Sequence, residues 1–394
     1  ALVSVPSPEY LFDENESHER IDMAFNKKRA DDRKEWLFKY DKQDVLDYKI
    51  EKVEYENFID KDLIHFSVYD TDRSLPSFCD GLKISTRKIL YSCFKRNLTK
   101  EIRVAQLAGY VSENANYHHG EKSLQDAIIG MAQTYIGSNN INLLMPNGQF
   151  GTRLNGGHDS ASPRYIHTQL NPLTYSIFNK EDLPILNYLD DDGETIEPEF
   201  YLPVIPMVLI NGIIGIGTGF SCNIPCFNPV DIIKIYKDLL NTKDLNKALK
   251  NMKELEPHYT GHKGHIVKNS LKYISKGIFK RISPNQIEIT ELPVGMWTQD
   301  YKDYLEKYME KNPKILKEYE GHYTESSIKF ILHFEPGCVN NLLKMDKDDE
   351  YTKFEKEFKL ITSKMLSTTN MHMFNPEGTI TKMKNTPEIL KEFY

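Results

Sequence analysis

The run Asp80-Gly-Leu-Lys-Ile-Ser-Thr-Arg-Lys-Ile-Leu-Tyr-Ser-Cys-Phe94 reads as a helix that its own first carboxylate can cap. Leu82, Ile89, Leu90, Cys93 and Phe94 form a stripe that the helix must bury, whereas Lys83 and Arg87, four apart, share another face. Outward along the chain, a further helix is expected from about Glu121 to Tyr135, burying Leu124, Ile128, Met131 and Ala132 and stopping before Gly137-Ser-Asn-Asn140. Upstream, residues 20–40 combine dense charge with apolar positions at helical intervals and read as a largely exposed helix. Three short helices followed by loops and strand-like pieces suit a winged helix, a common DNA reader that is one of several modules with this pattern.

Beyond residue 170 the texture changes. Pro184, Asp190-Asp-Asp-Gly193, Pro198, Pro203 and Pro206 punctuate a connector, and Met207-Val-Leu-Ile210 reads as a short buried strand. Residues 228–253 are expected to be helical. Between 257 and 336, glycine and proline turns separate β-prone pieces such as Gln286–Thr290 and Ile328–His333, with a helical stretch near 299–310. The fold class expected is therefore α+β.

With 394 residues, 40% of them hydrophobic, the chain can bury a substantial core and is expected to hold two or three domains. It lacks an apolar run of about 18 residues and a charged-then-apolar leader, which points to a soluble intracellular protein. Ala1 at the start and Leu390–Tyr394, which reads as a beginning helix, suggest cut termini. Cys79, Cys93, Cys222, Cys226 and Cys338 lack paired metal-ligand spacing and read as reduced structural thiols. A net charge of −7 argues against a uniform nucleic-acid binder, because each phosphate contact needs a cation. Locally the balance reverses. Lys83, Arg87, Lys88, Lys95, Arg96, Lys100 and Arg103 stand against Glu101 alone, which predicts a basic surface on an acidic protein.

Four motifs carry chemistry. In Asp159-Ser-Ala-Ser-Pro-Arg-Tyr165-Ile-His-Thr-Gln-Leu170, a tyrosine directly follows an arginine on a loop leaving a glycine-rich segment. A phenol has an ordinary pKa of about 10, so attack at neutral pH needs a cation such as Arg164 to favour the phenolate. The chain holds 23 tyrosines, so packing or surface roles are the plainer reading for any single one. Asn211-Gly-Ile-Ile-Gly-Ile-Gly-Thr-Gly-Phe220 fails both phosphate-loop spacings. It reads either as a tight turn or as a loop whose Ile216 wedges between base pairs. Tyr117-His-His-Gly-Glu121 offers His118 and His119 as phosphate donors or proton movers, or as a solvated helix start. Asp190-Asp-Asp192 reads as an acidic connector rather than a metal cluster.

Taken together these segments resemble the breakage-reunion region of type IIA DNA topoisomerases in their eukaryotic form. The resemblance rests on ordered matches: Arg73-Ser-Leu-Pro-Ser77, Asp80–Lys88, Val104-Ala-Gln-Leu-Ala-Gly109, Tyr117–Glu121, Gly137–Asn140, Gly148-Gln-Phe-Gly-Thr-Arg153, Ser160–Ile166, Ile205–Gly212 and Gly215-Ile-Gly-Thr-Gly219. It is dense from about 20 to 230 and thinner later, where Glu291-Leu-Pro-Val294 and Trp297-Thr-Gln299 still fit. Its divergence is similar to that of an enzyme from a large DNA virus, which would place it in host cytoplasm, otherwise in the nucleus. Ile84-Ser-Thr86 stands where the family has Pro-Gly-Gln, a departure that changes that turn.

The resemblance implies that Tyr165 is the nucleophile, linked transiently to a 5′ phosphate, and that Arg164 steadies the transition state. It implies DNA contacts from Arg73, Lys83, Arg87, His118, His119 and Arg153, with Ile216 intercalating. It implies a helical connector from a Toprim domain over 1–59, a winged-helix (CAP-like) domain over 60–190, a tower domain over 191–380 and the start of a coiled coil over 381–394. The parent would be a homodimer acting on double-stranded DNA with Mg2+, held by a Toprim domain, and ATP, held by an ATPase domain. The motifs of both are missing from this sequence, so the chain alone is expected not to cleave. The rival is a non-catalytic DNA-bending module.

Overall fold

The computed structural model describes residues 8–47, 49–269, 272–345 and 350–394. Helices Ile84–Arg96, Val104–Asn114 and Glu121–Ala132 pack on one another, burying Ile89, Leu90, Cys93, Leu107, Leu124 and Ile128 completely. Apolar residues three and four apart leave each helix one face that only another helix can cover. The strand pair Ile102–Arg103 and His167–Thr168 closes the group. The first helix begins at Ile84, not at Asp80 as expected: Lys83 is still extended, and the Thr86 hydroxyl accepts from its amide. Asp80 has turned inward instead, where its carboxylate accepts from Leu82 N and from Arg87. The expected helix to Tyr135 stops at Ala132, because Gln133 turns extended and donates to Phe150 O.

The single helix expected over 20–40 is two, Glu16–Phe25 and Ala30–Phe38. The break is held by Arg33, which donates to the carbonyls of Met23 and Asn26, and by Arg29, which bridges Glu19, Asp22 and Asp32. Met207–Ile210, expected as a strand, is a single helical turn buried throughout. Four apolar residues cannot reveal their own period, and the Pro206 carbonyl accepts from both Leu209 N and Ile210 N. Asp190–Asp192 is not a loose connector. It belongs to the hairpin Tyr188–Asp191/Glu194–Pro198, turned by Asp192 at φ 53°.

The same core runs on through Phe227, Ile232 and Leu255, and the chain returns to it at 371–390. Strands Met371–Phe374 and Ile380–Met383 complete a four-stranded sheet with Ile213–Ile216 and Ser221–Ile224. Residues 381–394 finish that strand and form the helix Thr386–Phe393, whose Ile389 and Leu390 are fully buried. Residues 228–253 are helical as Pro229–Asn241 and Leu245–Lys250. A second core lies between the antiparallel sheet ordered Ile278–Ser283, Gln286–Glu291, Phe330–Phe334, Leu316–Gly321 and the helix Thr298–Lys311. In its register Ile287 faces Leu332 and Ile289 faces Phe330, all fully buried. The protein is thus a mixed fold of helices and mainly antiparallel sheets. Among the described residues no helix is long and apolar enough to cross a membrane. All five cysteines are unpaired, and burial pushes the Cys93, Cys222 and Cys226 thiols up to about 12, which keeps them unreactive.

Candidate nucleic-acid interface

The loop bearing Tyr165 is anchored on both sides of the residue. Pro163 O accepts from Ala105 N, Ile166 O from Val104 N, and Ser162 O from Tyr165 N. Ile166 is 2% exposed and packs into the core, so the residue before it must face the other way. Tyr165 is 73% exposed, and Arg164 beside it is exposed with no hydrogen-bond or ion-pair partner among the described residues. Upstream, the Asp159 carboxylate accepts from Thr152 N and from the Thr152 hydroxyl, closing the glycine-rich loop into a rigid base. A phenol and an uncommitted guanidinium therefore stand together on fixed backbone. This arrangement suits attack on an anionic ester, since the cation offsets charge that develops on both phenolate and phosphate.

A second feature is the hairpin Ile213–Ile216/Ser221–Ile224, which lies across the helix Ile64–Ser74. A side chain at Gly215 would come within 2.1 Å of Ser74 O, so only glycine permits that approach. Gly217 N donates to Phe220 O, and the Thr218 hydroxyl donates to Asp70. The turn so pinned thrusts Ile216 into solvent at 78% exposure. A large apolar side chain held outward on stiff backbone has the form of a wedge.

Basic side chains gather near the hairpin. Arg73 donates to the Ser123 hydroxyl, Lys83 to Ile214 O, and the Tyr69 hydroxyl and His119 Nε2 share a hydrogen bond. Tyr69 and Arg73, four apart, place one face of their helix against the start of Glu121–Ala132. Burial, then the charges of Arg73 and His118, hold His119 below its ordinary value, so it is neutral at pH 7 and can offer an N–H. Lys83 is likewise lowered by burial and by Arg73, and a cation so placed gains strongly from an anion. His118 is more exposed and reaches Asp191 at 3.3 Å. Sequence reasoning misses Tyr69; its spacing from Arg73 is the available signal. Tyr165 and Arg164 share no hydrogen bond or ion pair with this group among the described residues.

Two of the residues expected to contact DNA lie inside the protein. Arg87, 6% exposed, spans both oxygens of the fully buried Asp80 at 2.8 and 3.1 Å and also donates to Leu82 O. Arg153, 3% exposed, reaches Glu291 at 2.6 Å and donates to Leu292 O. Both guanidiniums are committed inside the protein, because a buried charge persists only when paired. Lys88 is also internal, on Glu197 and Ala115 O. Of the basic run, Lys95, Arg96, Lys100 and Arg103 remain exposed, and the last three border an open depression of about 710 Å³ with His167.

Next to Arg73, the half-buried Asp72 has no hydrogen-bond partner among the described residues, and burial pushes its carboxyl up to about 6. A raised value means that the folded state binds the proton more tightly than the unfolded chain. The stability this confers is full below about pH 4 and is lost as pH rises through about 6. Asp72→Asn is expected to stabilise the protein at pH 7 by on the order of 1 kcal/mol after solvent screening, with little change at pH 4. Thermal unfolding of both proteins at the two pH values measures this, and an equal difference at both would refute it.

The family model for the A subunit of DNA gyrase/topoisomerase IV matches residues 73–394, and that for the C-terminal associated domain of TOPRIM matches residues 7–71. The chain is 46% identical over 378 residues to DNA topoisomerase 2 of Saccharomyces cerevisiae, covering 95% of this chain and 25% of that protein. It is 44% identical over 392 residues to DNA topoisomerase 2 of Arabidopsis thaliana, covering 98% and 26%. It spans about a quarter of the length of these curated relatives. The crystal structure of the Plasmodium falciparum topoisomerase II DNA-binding, cleavage and re-ligation domain superposes with a TM-score of 0.82 at 44% identity, over 98% of this chain and 51% of that one. The chain therefore belongs to the family of the DNA gyrase/topoisomerase IV A subunit, as a breakage-reunion region of the type IIA topoisomerases close to the eukaryotic topoisomerase 2 enzymes.

Proposed function

We propose that this chain is the DNA-gate part of an ATP-dependent type II topoisomerase. The carrying observation is the Tyr165 phenol, outward on anchored backbone beside an uncommitted Arg164. Its oxygen attacks a backbone phosphorus, the bond to the 3′ oxygen breaks, and that oxygen leaves with a proton as a hydroxyl. The product is a 5′ phosphotyrosine ester. Because one phosphate ester replaces another, the 3′ hydroxyl can reverse the step without an external energy source, and a second duplex passes in the interval. Arg164 offsets charge on the phosphate oxygens during both directions.

In this reading the three-helix group with its strand pair is a winged helix within about 60–190, the residues over 191–380 form a tower, and those over 381–394 begin a coiled coil. The first 59 residues connect to a Toprim domain. Double-stranded DNA and a second copy of the parent chain are the partners, and the enzyme works where its DNA lies, which in this reading is the nucleus. No observation carries the viral reading further. Mg2+ and ATP belong to the parent enzyme. Among the described residues no three His, Cys, Asp or Glu side chains converge as a metal site, and Asp190 and Asp191 are engaged with Gly193 N and His118.

The test is denaturant trapping of the full-length enzyme on duplex labelled at its 3′ end. The label is expected to migrate with the protein at Tyr165, whereas a purely architectural module leaves none attached. A second expectation concerns the wedge. Ile216→Ala should remove tens of degrees of DNA bending, as an inserted apolar side chain kinks a duplex by roughly 20–90°. Because Ile216 is exposed, stability should change by less than about 0.5 kcal/mol. Fluorescence transfer between duplex ends reads the bend; an unaltered angle ends the wedge role.

A further inference from the structure

The tyrosine loop and the second core meet at a buried ion pair. Arg153 and Glu291 are 3% and 2% exposed and 2.6 Å apart. Arg153 also donates to Leu292 O at 2.9 Å, and Glu291 accepts from Lys263 N at 3.1 Å and from Leu292 N at 2.9 Å. His262, whose Nδ1 lies 3.9 Å from Glu291 without a hydrogen bond, is held down to about 4 by burial, so at pH 7 the pair balances one cation against one anion. Beside it Leu154 O accepts from Gln299 N. The Trp297 ring lies so close over Gly156 that a Cβ there would be 2.3 Å away, and Trp297 meets Tyr135 edge to face at 5.7 Å. Tyr135 in turn donates to Gly156 O.

The loop clasped at Arg153 is the one that presents the nucleophile. Thr152, adjacent to Arg153, is bonded to Asp159, and Ala161 N donates to Gln149 O, four residues short of Tyr165. We infer that Arg153 and Glu291 are positioning residues, which fix the glycine-rich loop to the second core and thereby set where the Tyr165 oxygen stands. The inference rests on the proposed role of Tyr165. Misplacing a reacting group by about 1 Å can cost a hundredfold in rate, so a clasp of this kind governs cleavage rather than duplex affinity.

The experiment uses the full-length enzyme and compares wild type, Glu291→Gln, the double variant Arg153→Gln/Glu291→Gln, and Leu305→Ala. Leu305 is fully buried in the second core, and its variant lowers stability without touching the clasp. Covalent adduct per folded molecule at saturating duplex, duplex Kd and melting midpoint are read for each. Glu291→Gln should lose about tenfold to a hundredfold of adduct rate with Kd within about twofold, and the double variant, which leaves no orphaned charge, should recover at least about threefold. Leu305→Ala should melt earlier with normal adduct. Should Glu291→Gln not fold, Arg153→Lys, which keeps the charge and loses the Leu292 bond, takes its place with the same expectation. If the single variant melts earlier yet matches wild type in adduct, the clasp is merely structural and the inference is overturned. A wild-type enzyme without adduct at Tyr165 overturns the functional reading itself.

Discussion

Tyr165→Phe in the full-length enzyme is expected to lower covalent protein–DNA adduct by at least about a thousandfold, since the nucleophile itself is removed and its neighbours cannot replace it. Only one oxygen is lost. The ring stays, it is 73% exposed, and its hydroxyl has no hydrogen-bond partner among the described residues, so nothing in the fold depends on it. Stability should move by less than about 0.5 kcal/mol. Duplex affinity should hold within about twofold, because it comes mainly from many phosphate contacts, with Arg73, Lys83 and His119 proposed among them. Adduct is measured by denaturing gel with 3′-labelled duplex, and affinity by titration at fixed salt. A variant that still captures label at the wild-type level would show that another side chain is the nucleophile, and the exposed Arg164 would then be a binding group only.

This separation of cleavage from binding follows from how the site is built. Tyr165 and Arg164 stand on a loop whose stiffness comes from Asp159, Pro163 and Ile166, while Arg73 lies on the helix Ile64–Ser74 that the Ile216 hairpin crosses, Lys83 donates to Ile214 O of that hairpin, and His119 is bonded to Tyr69 of that helix. The two groups share no hydrogen bond or ion pair among the described residues, so each can be removed without dismantling the other. A bending module has use for the second group alone. The argument for catalysis therefore rests on the first.

What the sequence revealed depended on how local the cause was. Tyr165 faces outward because Ile166 beside it faces in, a cause one residue away; the glycines beside Ile216 are equally local, although the helix Ile64–Ser74 against which they let the hairpin lie is not. The helical stripe of Ile89, Leu90 and Cys93 is likewise local and is buried as expected. The assignment to a family came from ordered motifs, not from periodicity. Two basic residues are held inside by partners distant in sequence. Arg153 is neutralised by Glu291 in another core, and Lys88 by Glu197 on a later hairpin, so nothing near either residue marks it as internal. Arg87 had the helical spacing of a phosphate contact, yet Asp80, just before the helix, folds back on it. Met207–Ile210 was undecidable because four apolar residues suit a buried strand and a buried turn equally.

The same fold-back makes Asp80 a residue whose loss should strongly destabilise the protein. Asp80→Ala is expected to cost about 3–5 kcal/mol, the range for removing one partner of a buried ion pair. Its carboxylate is fully buried and accepts from Arg87 twice, from Leu82 N and from Tyr201 N. Truncation leaves a guanidinium without counter-charge in the core and orphans two backbone donors, each of which costs about 1–3 kcal/mol when buried and unmet. The orphaned cation dominates that sum, which yields a sharper expectation. Asp80→Ala combined with Arg87→Met should be more stable than Asp80→Ala alone by at least about 1 kcal/mol, because a buried apolar side chain needs no partner. Denaturant unfolding of both variants measures the difference. A single variant costing under about 1 kcal/mol would mean that Arg87 swings out to solvent, where it would again be free to meet a phosphate.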